Sequence, residues 1–350
     1  MSSFNYRPDI DGLRAVAVLP VVGFHAFPTA IRGGFVGVDI FFVISGFLIS
    51  GIILDELQRD SFSFARFYAR RAKRILPALV LVLGACYAIA SRIMLSGDLK
   101  ALGLHLVGAG TFVTNLLLWK ESGYFDVAAQ TKPLLHLWSL GIEEQFYLIW
   151  PALLFVFFRW KLNIGYLLFG VLSLSFAINV ITVEHSTAAA FYSPASRFWE
   201  LMCGAALAYG ASNGLKGGSG WRPDAESVIG LILIAGACLF FTDQLRFPGW
   251  WALVPVIGAC LVIHAGPDSL VNRSLLSSRP LVWIGLISYA LYLWHWPLLS
   301  LAHIAEGQDA SRLARIGLVA TSVALATATY LVIERPISFE MSDQSMLHRS

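Results

Sequence analysis

An arginine and a histidine within one apolar run are the first residues that could do chemistry. Arg14 stands at the mouth of that run, in Asp11-Gly12-Leu13-Arg14, and His25 follows eleven residues later. Eleven residues are close to three helical turns, so both side chains share one face, roughly 16 Å apart along the axis. Pro20 and Gly23 lie between them and invite a kink. An ionisable side chain inside a spanning helix is costly, which makes each one a functional candidate. Taken singly, Arg14 also reads as a snorkelling anchor and His25 as a buried imidazole bonded to a carbonyl. Together they supply a cation and a proton acceptor on one face. A neutral imidazole can serve as a general base.

Other ionisable residues gather around later apolar runs. Asp39 follows the turn after His25 and could orient that imidazole and raise its basicity, or sit as a carboxylate at a helix start. Arg71 and Arg74 stand at i, i+3, a spacing suited to gripping phosphate, and equally part of a positive membrane-flanking cluster that contacts anionic lipid. Glu143 and Glu144 come directly before an apolar run, beside Trp138, Gln145 and Tyr147. Such a group could bind sugar hydroxyls or shuttle protons. Arg197 and Glu200 can pair at i, i+3 among aromatics, and Tyr289 and His295 lie in a second aromatic belt, Ser288-Tyr289-Ala290-Leu291-Tyr292-Leu293-Trp294-His295-Trp296-Pro297. Arg197, Glu200, Tyr289 and His295 join Trp138 and Tyr147 as candidate substrate-binding residues. No cluster with metal-ligand spacing accompanies them, and the four cysteines, each in an apolar run, read as small hydrophobes.

The elements that must position these groups follow from composition. Of 350 residues, 57% are hydrophobic and 13% charged, with a mean hydropathy of +0.68. A soluble domain carries about 25% charged residues, so this chain cannot coat a water-facing surface. A net charge of +3 is no nucleic-acid footprint. The reading is an all-α polytopic membrane protein, because the apolar runs are too long and continuous for barrel strands. Eleven runs qualify: residues 13–30, 35–54, 75–95, 101–119, 145–158, 164–182, 198–211, 227–242, 250–265, 281–302 and 313–333. The first is read as a retained span, not a signal peptide. The polar stretches between runs, the longest 55–74, 120–144, 184–197 and 213–226, are loop-sized. The densest positive cluster, Arg59 to Arg74, belongs in the cytoplasm and takes the N-terminus with it. Eight Lys and Arg against six on alternate loops favour about ten crossings with both ends inside, leaving 101–119 re-entrant or in the membrane plane.

The order of motifs resembles the acyltransferase family 3 membrane proteins, bacterial O-acyltransferases of cell-surface glycans. The resemblance lies in Tyr6-Arg7-Pro8-Asp9-Ile10-Asp11-Gly12-Leu13-Arg14, the Arg14-x10-His25 spacing, Gly37-Val38-Asp39-Ile40-Phe41-Phe42-Val43-Ile44-Ser45-Gly46-Phe47 and Arg71-x-x-Arg74. It continues in His136-Leu137-Trp138-Ser139-Leu140-Gly141-Ile142-Glu143-Glu144-Gln145-Phe146-Tyr147, the Ser288–Pro297 block and Glu334-Arg335-Pro336. The resemblance implies a ten-helix acyltransferase domain over residues 1–336 in the bacterial inner membrane, followed by a short polar tail, 337–350. It implies acetyl-CoA as cytoplasmic acyl donor and a carbohydrate hydroxyl, of lipopolysaccharide O-antigen, exopolysaccharide or similar, as acceptor. It marks Arg14 and His25 as the essential pair.

Many relatives with this wording carry a further span and a periplasmic SGNH-type domain after the Glu-Arg-Pro block. Here either this domain does the whole transfer, or a separate SGNH-type partner completes it, or the chain is a piece of a longer protein. On this reading Arg14, Arg71 and Arg74 hold the donor's phosphates, His25 does the chemistry and Asp39 orients it. Glu143 or Glu144 receives protons or binds sugar from the outer side. A proton-coupled secondary transporter using Arg14, His25, Asp39 and Glu143 as its path, or a non-catalytic component of a glycan-assembly complex, remains the alternative.

Overall fold

The computed structural model describes residues 6–122, 128–215 and 221–337, and among them it is helical, with no strand. Its α-helices in chain order are α1 (Pro8–Ala26), α2 (Gly37–Gln58), α3 (Phe64–Ile93), α4 (Ser96–Gly110), α5 (Thr114–Glu121), α6 (Trp138–Arg159), α7 (Ile164–His185), α8 (Thr187–Tyr192), α9 (Pro194–Ser212), α10 (Arg222–Phe240), α11 (Leu253–Ala265), α12 (Arg279–Leu286), α13 (Ser288–Glu306) and α14 (Arg312–Thr329). Local signals set several starts. Proline sits in the first turn of α1, α9, α10 and α12, where its missing N–H costs nothing. Ser63, Asn163 and Ser311 cap α3, α7 and α14 with a side-chain oxygen.

Among the described residues six helices are long and apolar enough to cross a membrane: those at 34–58, 64–93, 135–159, 164–185, 222–240 and 312–337. A seventh span results if α12 and α13, bent by 65° at Ile287, count as one. The sequence expectation of about ten exceeds this by α1, α9 and α11, which are short or charge-bearing. Val80, Tyr166, Phe169, Ile232, Phe240 and Leu313 are large apolar side chains left exposed on these helices, surface suited to lipid. The chain is therefore a multi-pass membrane protein.

Four boundaries differ from the sequence reading. The stretch 55–74 is mostly helix: α2 runs to Gln58 and α3 starts at Phe64, so Arg66 to Arg74 occupy the first turns of a 30-residue helix. The apolar run 101–119 breaks between α4 and α5, where Phe112 takes a left-handed φ of 59°. The run 281–302 breaks at Ile287. Helix α6 starts at Trp138, so Glu143 and Glu144 lie in its second turn instead of preceding it. Helix α1 stays unbroken through Pro20. Of the tail read at 337–350, residues 338–350 lie outside the described residues, as do Lys216 and Arg349 of the charge comparison.

Without a hydrophobic driving force in lipid, close packing of small residues holds helices together. Helices α2 and α9 show this most plainly. A Cβ on Gly46 would lie 1.9 Å from the Leu201 carbonyl oxygen, and one on Gly204 would lie 2.0 Å from that of Val43. Only glycine permits this backbone contact. Asp39 precedes Gly46 by seven residues and Arg197 precedes Gly204 by seven. Two turns above one crossing, parallel helices bring these two side chains face to face, and the structure pairs them.

Candidate active site

Two cavities lie on either side of a thin wall inside the bundle. The first, about 250 Å³, is lined by Arg14 of α1, Arg71 and Arg74 of α3, Glu143 and Tyr147 of α6, and Tyr289 of α13. The bend at Ile287 turns Ser288 and Tyr289 into it, which a straight run from 281 to 302 does not predict. The second, about 350 Å³, is lined by His25, His136, Trp138, Trp296, His303 and Arg315 among others. Arg14 and His25 thus share a helix and face the interior, as their spacing predicts, but they open into different cavities.

The arginine cavity is strongly charged. The Arg14 guanidinium stands 3.3 Å from Asp11, and that of Arg71 stands 3.5 Å from Glu144 and 4.2 Å above the ring of Tyr147. Arg74 is exposed and has no ion-pair partner among the described residues. The hydroxyl of Ser45 donates to Glu143, and that of Tyr289 donates to the Ile75 carbonyl at 3.0 Å. Glu143, Tyr147 and Tyr289 therefore line the arginine cavity, and Glu144 pairs with Arg71 beside it, on the far side of the wall from His25. The sequence reading had put the two carboxylates toward the sugar side. A helix starting at Trp138 turns them the other way.

In the second cavity the hydrogen bonds decide which nitrogen of His25 is basic. His295 Nδ1 lies 3.1 Å from the Leu291 carbonyl oxygen, which can only accept, so Nδ1 carries the proton. With the ring neutral, His295 Nε2 accepts, and its partner at 2.8 Å is His25 Nδ1, which must donate. His25 Nε2 is then the nitrogen with the free lone pair, and it meets no protein partner among the described residues. The two rings stack with centroids 5.1 Å apart, and Trp296 packs against His25 at 4.5 Å. Trp296 is itself fixed by its indole N–H to the Lys132 carbonyl at 2.9 Å.

Asp39 does not orient His25. It is fully buried against Arg197, 3.2 Å away, and Arg197 also pairs with Glu200 at 2.9 Å; the three side chains are 0% exposed. Phe42, Trp138, Phe191 and Phe247 surround the guanidinium. The reason is the glycine crossing of α2 and α9, which turns Asp39 toward α9. Arg197 and Glu200, both expected at the substrate and Arg197 at the end of a loop, line neither cavity and belong to this internal cluster. His295 touches His25, where substrate contact had been expected, and Trp138 alone of the aromatic candidates lines the His25 cavity.

Sequence reasoning missed Ser45, His136, Tyr292 and Trp296. A signal existed in the last block: Tyr289, Tyr292, His295 and Trp296 fall at i, i+3, i+6 and i+7, one helical face. Among the described residues no three His, Cys, Asp or Glu side chains gather in a way that could hold a metal ion.

Comparisons with known proteins identify the family. The chain is 33% identical over 96% of its length to "Peptidoglycan O-acetyltransferase OatA" of Listeria monocytogenes, and it covers 56% of that protein. It is 32% identical over 95% of its length to a Komagataeibacter xylinus protein named "Putative membrane-bound transacylase BcsY", of which it covers 83%. The chain spans about half the length of OatA and of several other curated relatives. No solved structure matches it. The model of the family described as "Acyltransferase domain" matches residues 7–331, and with it every residue of both cavities: the chain belongs to the acyltransferase family 3 membrane proteins.

Proposed function

We propose that this protein is a membrane O-acyltransferase that takes an acetyl group from acetyl-CoA at the cytoplasmic face and delivers it to a hydroxyl of a cell-surface carbohydrate. The observation that carries the reading is the His25–His295 contact, which leaves a basic nitrogen on a ring that lines a cavity inside an apolar bundle. Charge placement supports the donor side. The Arg59–Arg74 cluster belongs to the cytoplasm by the positive-inside tendency, which makes the arginine cavity the cytoplasmic one. CoA carries phosphates that cannot enter lipid, and Arg74, unpaired among the described residues, offers them charge-assisted hydrogen bonds together with Arg71 and Arg14.

His25 Nε2 takes the acceptor hydroxyl's proton as that oxygen attacks the thioester carbon. A carbon–oxygen bond forms and the carbon–sulfur bond breaks. The proton then passes from His25 to the leaving thiolate, so that ester and free CoA thiol result. His295 holds the tautomer that this requires. Trp138 and Trp296 give sugar rings apolar faces to stack on. The names of OatA and of a Bacillus subtilis relative refer to peptidoglycan, which makes that polymer one acceptor to try beside lipopolysaccharide and exopolysaccharide. A separate SGNH-type protein would be the partner if transfer is completed outside this domain.

The test is purified protein given acetyl-CoA and a carbohydrate acceptor, with free CoA thiol and acetylated glycan as readouts. His25→Ala lowers turnover by about a hundredfold or more on this reading; turnover at the wild-type rate removes His25 from the chemistry. Mass spectrometry of surface glycans from a deletion strain and its parent identifies the acceptor.

A further inference from the structure

The two cavities have two lining residues in common, Val38 of α2 and Tyr292 of α13. We propose that these two side chains form the acyl-selecting partition of the enzyme, a constriction that the acyl end of the donor crosses and whose bore sets the chain length transferred. The inference rests on the donor and base assignments above and adds to them the residues that choose the acyl group.

The geometry requires a crossing. The cations suited to the donor's phosphates line the first cavity and the basic nitrogen belongs to a ring in the second. The thioester carbon must come within bonding reach of a hydroxyl beside His25, so the acyl end passes the wall between Val38 and Tyr292.

Both sides of that wall are held firmly. The Tyr292 hydroxyl donates to the His136 carbonyl at 2.6 Å. With that proton committed, the Ser139 hydroxyl donates to the Tyr292 oxygen at 2.7 Å. Two bonds therefore tie the phenol to the first turn of α6 and the turn just before it, and its ring packs between His136 and His295 at 5.2 and 5.5 Å. Opposite, Val38 is buried and β-branched, which stiffens χ1. Its helix is pressed onto α1 at the preceding residue, where a Cβ on Gly37 would lie 2.1 Å from the Ala17 carbonyl oxygen. A bore with fixed walls discriminates by size, and one methylene too many against such a wall changes a rate by about tenfold or more.

The experiment compares acetyl-, propionyl-, butyryl- and hexanoyl-CoA with one carbohydrate acceptor, in purified wild-type, Val38→Ala, Val38→Phe and Tyr292→Phe proteins. Released CoA thiol and the mass of the acylated glycan are read, with melting temperature and CoA binding measured alongside. Val38→Ala removes two methyl groups from the wall and raises the butyryl-to-acetyl ratio of kcat/KM about tenfold or more. Val38→Phe lowers kcat for every donor about tenfold with donor KM unchanged. Tyr292→Phe keeps the ring but frees it from α6, and raises the same ratio by a smaller factor. Folded Val38→Ala and Tyr292→Phe proteins that bind CoA normally and keep the wild-type ratio overturn the partition alone. A wild-type protein that neither binds nor consumes any acyl-CoA overturns the donor assignment, and the partition with it.

Discussion

His25 is defined by its neighbour more than by its own position. The imidazole of His295 passes a hydrogen-bond polarity from the Leu291 carbonyl to His25 Nδ1, and this fixes where the lone pair resides. His295 is thus a positioning residue, and its replacement should separate from that of His25. His25→Ala should lower kcat by about a hundredfold or more, the range expected when a general base is removed. In His295→Gln the amide oxygen can still accept from Nδ1, so most of the rate is retained. His295→Leu cannot accept, and kcat falls without a matching change in donor KM. Nitrogen NMR of labelled histidine would report the tautomer of His25 directly, and an unaltered signal in His295→Leu would count against the positioning role. On the other side of the wall, Arg74→Ala should raise the apparent KM for acetyl-CoA about tenfold, the loss of one charge-assisted contact, while kcat stays near wild type. Arg14, His25, Arg71 and Arg74 were legible in the sequence, because an ionisable residue in an apolar run stands out. The partner of His25 was not, because 270 residues separate the two rings.

Elements matter through their crossings and breaks. The parallel contact of α2 with α9 at Gly46 and Gly204 delivers Asp39 to Arg197 and Glu200 in a site with no exposure. Removing one member of a buried ion cluster leaves an uncompensated charge, at a cost of about 3–5 kcal/mol. Arg197→Met should therefore lower the melting temperature and the yield of folded protein, and Gly204→Leu should do the same by forcing the helices apart. A Gly204→Leu protein as stable as wild type would show that the close approach is dispensable. Asp39 could not be placed from sequence, since the alternative to His25 was a helix seven positions in chain order away and several loops distant. The bend at Ile287 and the break at Phe112 were equally hidden: both lie in continuous apolar stretches with no proline at the break. A smaller tie lies near the His25 cavity. Glu121 at the end of α5 pairs with Lys132 at 2.9 Å and with His105 at 2.8 Å. Burial raises the Glu121 carboxyl, but Lys132 and His105 outweigh it and hold the group below its ordinary value. Its contribution to stability is present above the ordinary carboxylate range and is lost as pH falls through the lowered value. Thermal melts below pH 4.5 should therefore approach those of Glu121→Gln, and at pH 7 the two proteins should differ.

At the scale of the whole molecule, composition and run length gave the class, an α-helical membrane protein, and the motif order gave the family. The number of crossings was less accessible, because α1, α9 and α11 trade length or apolarity for the charged and small residues that build the interior. The same trade makes the cavities. Each replaces lipid-like packing with polar lining, and the two stop short of each other at one valine and one tyrosine. If the two hollows face opposite compartments, as proposed, the protein must also stay tight to ions. On the proposed sidedness, Val38 and Tyr292 are the insulation across which the cell's proton gradient would otherwise drain. Energised vesicles bearing the Tyr292→Gly protein should lose that gradient faster than vesicles bearing the native protein.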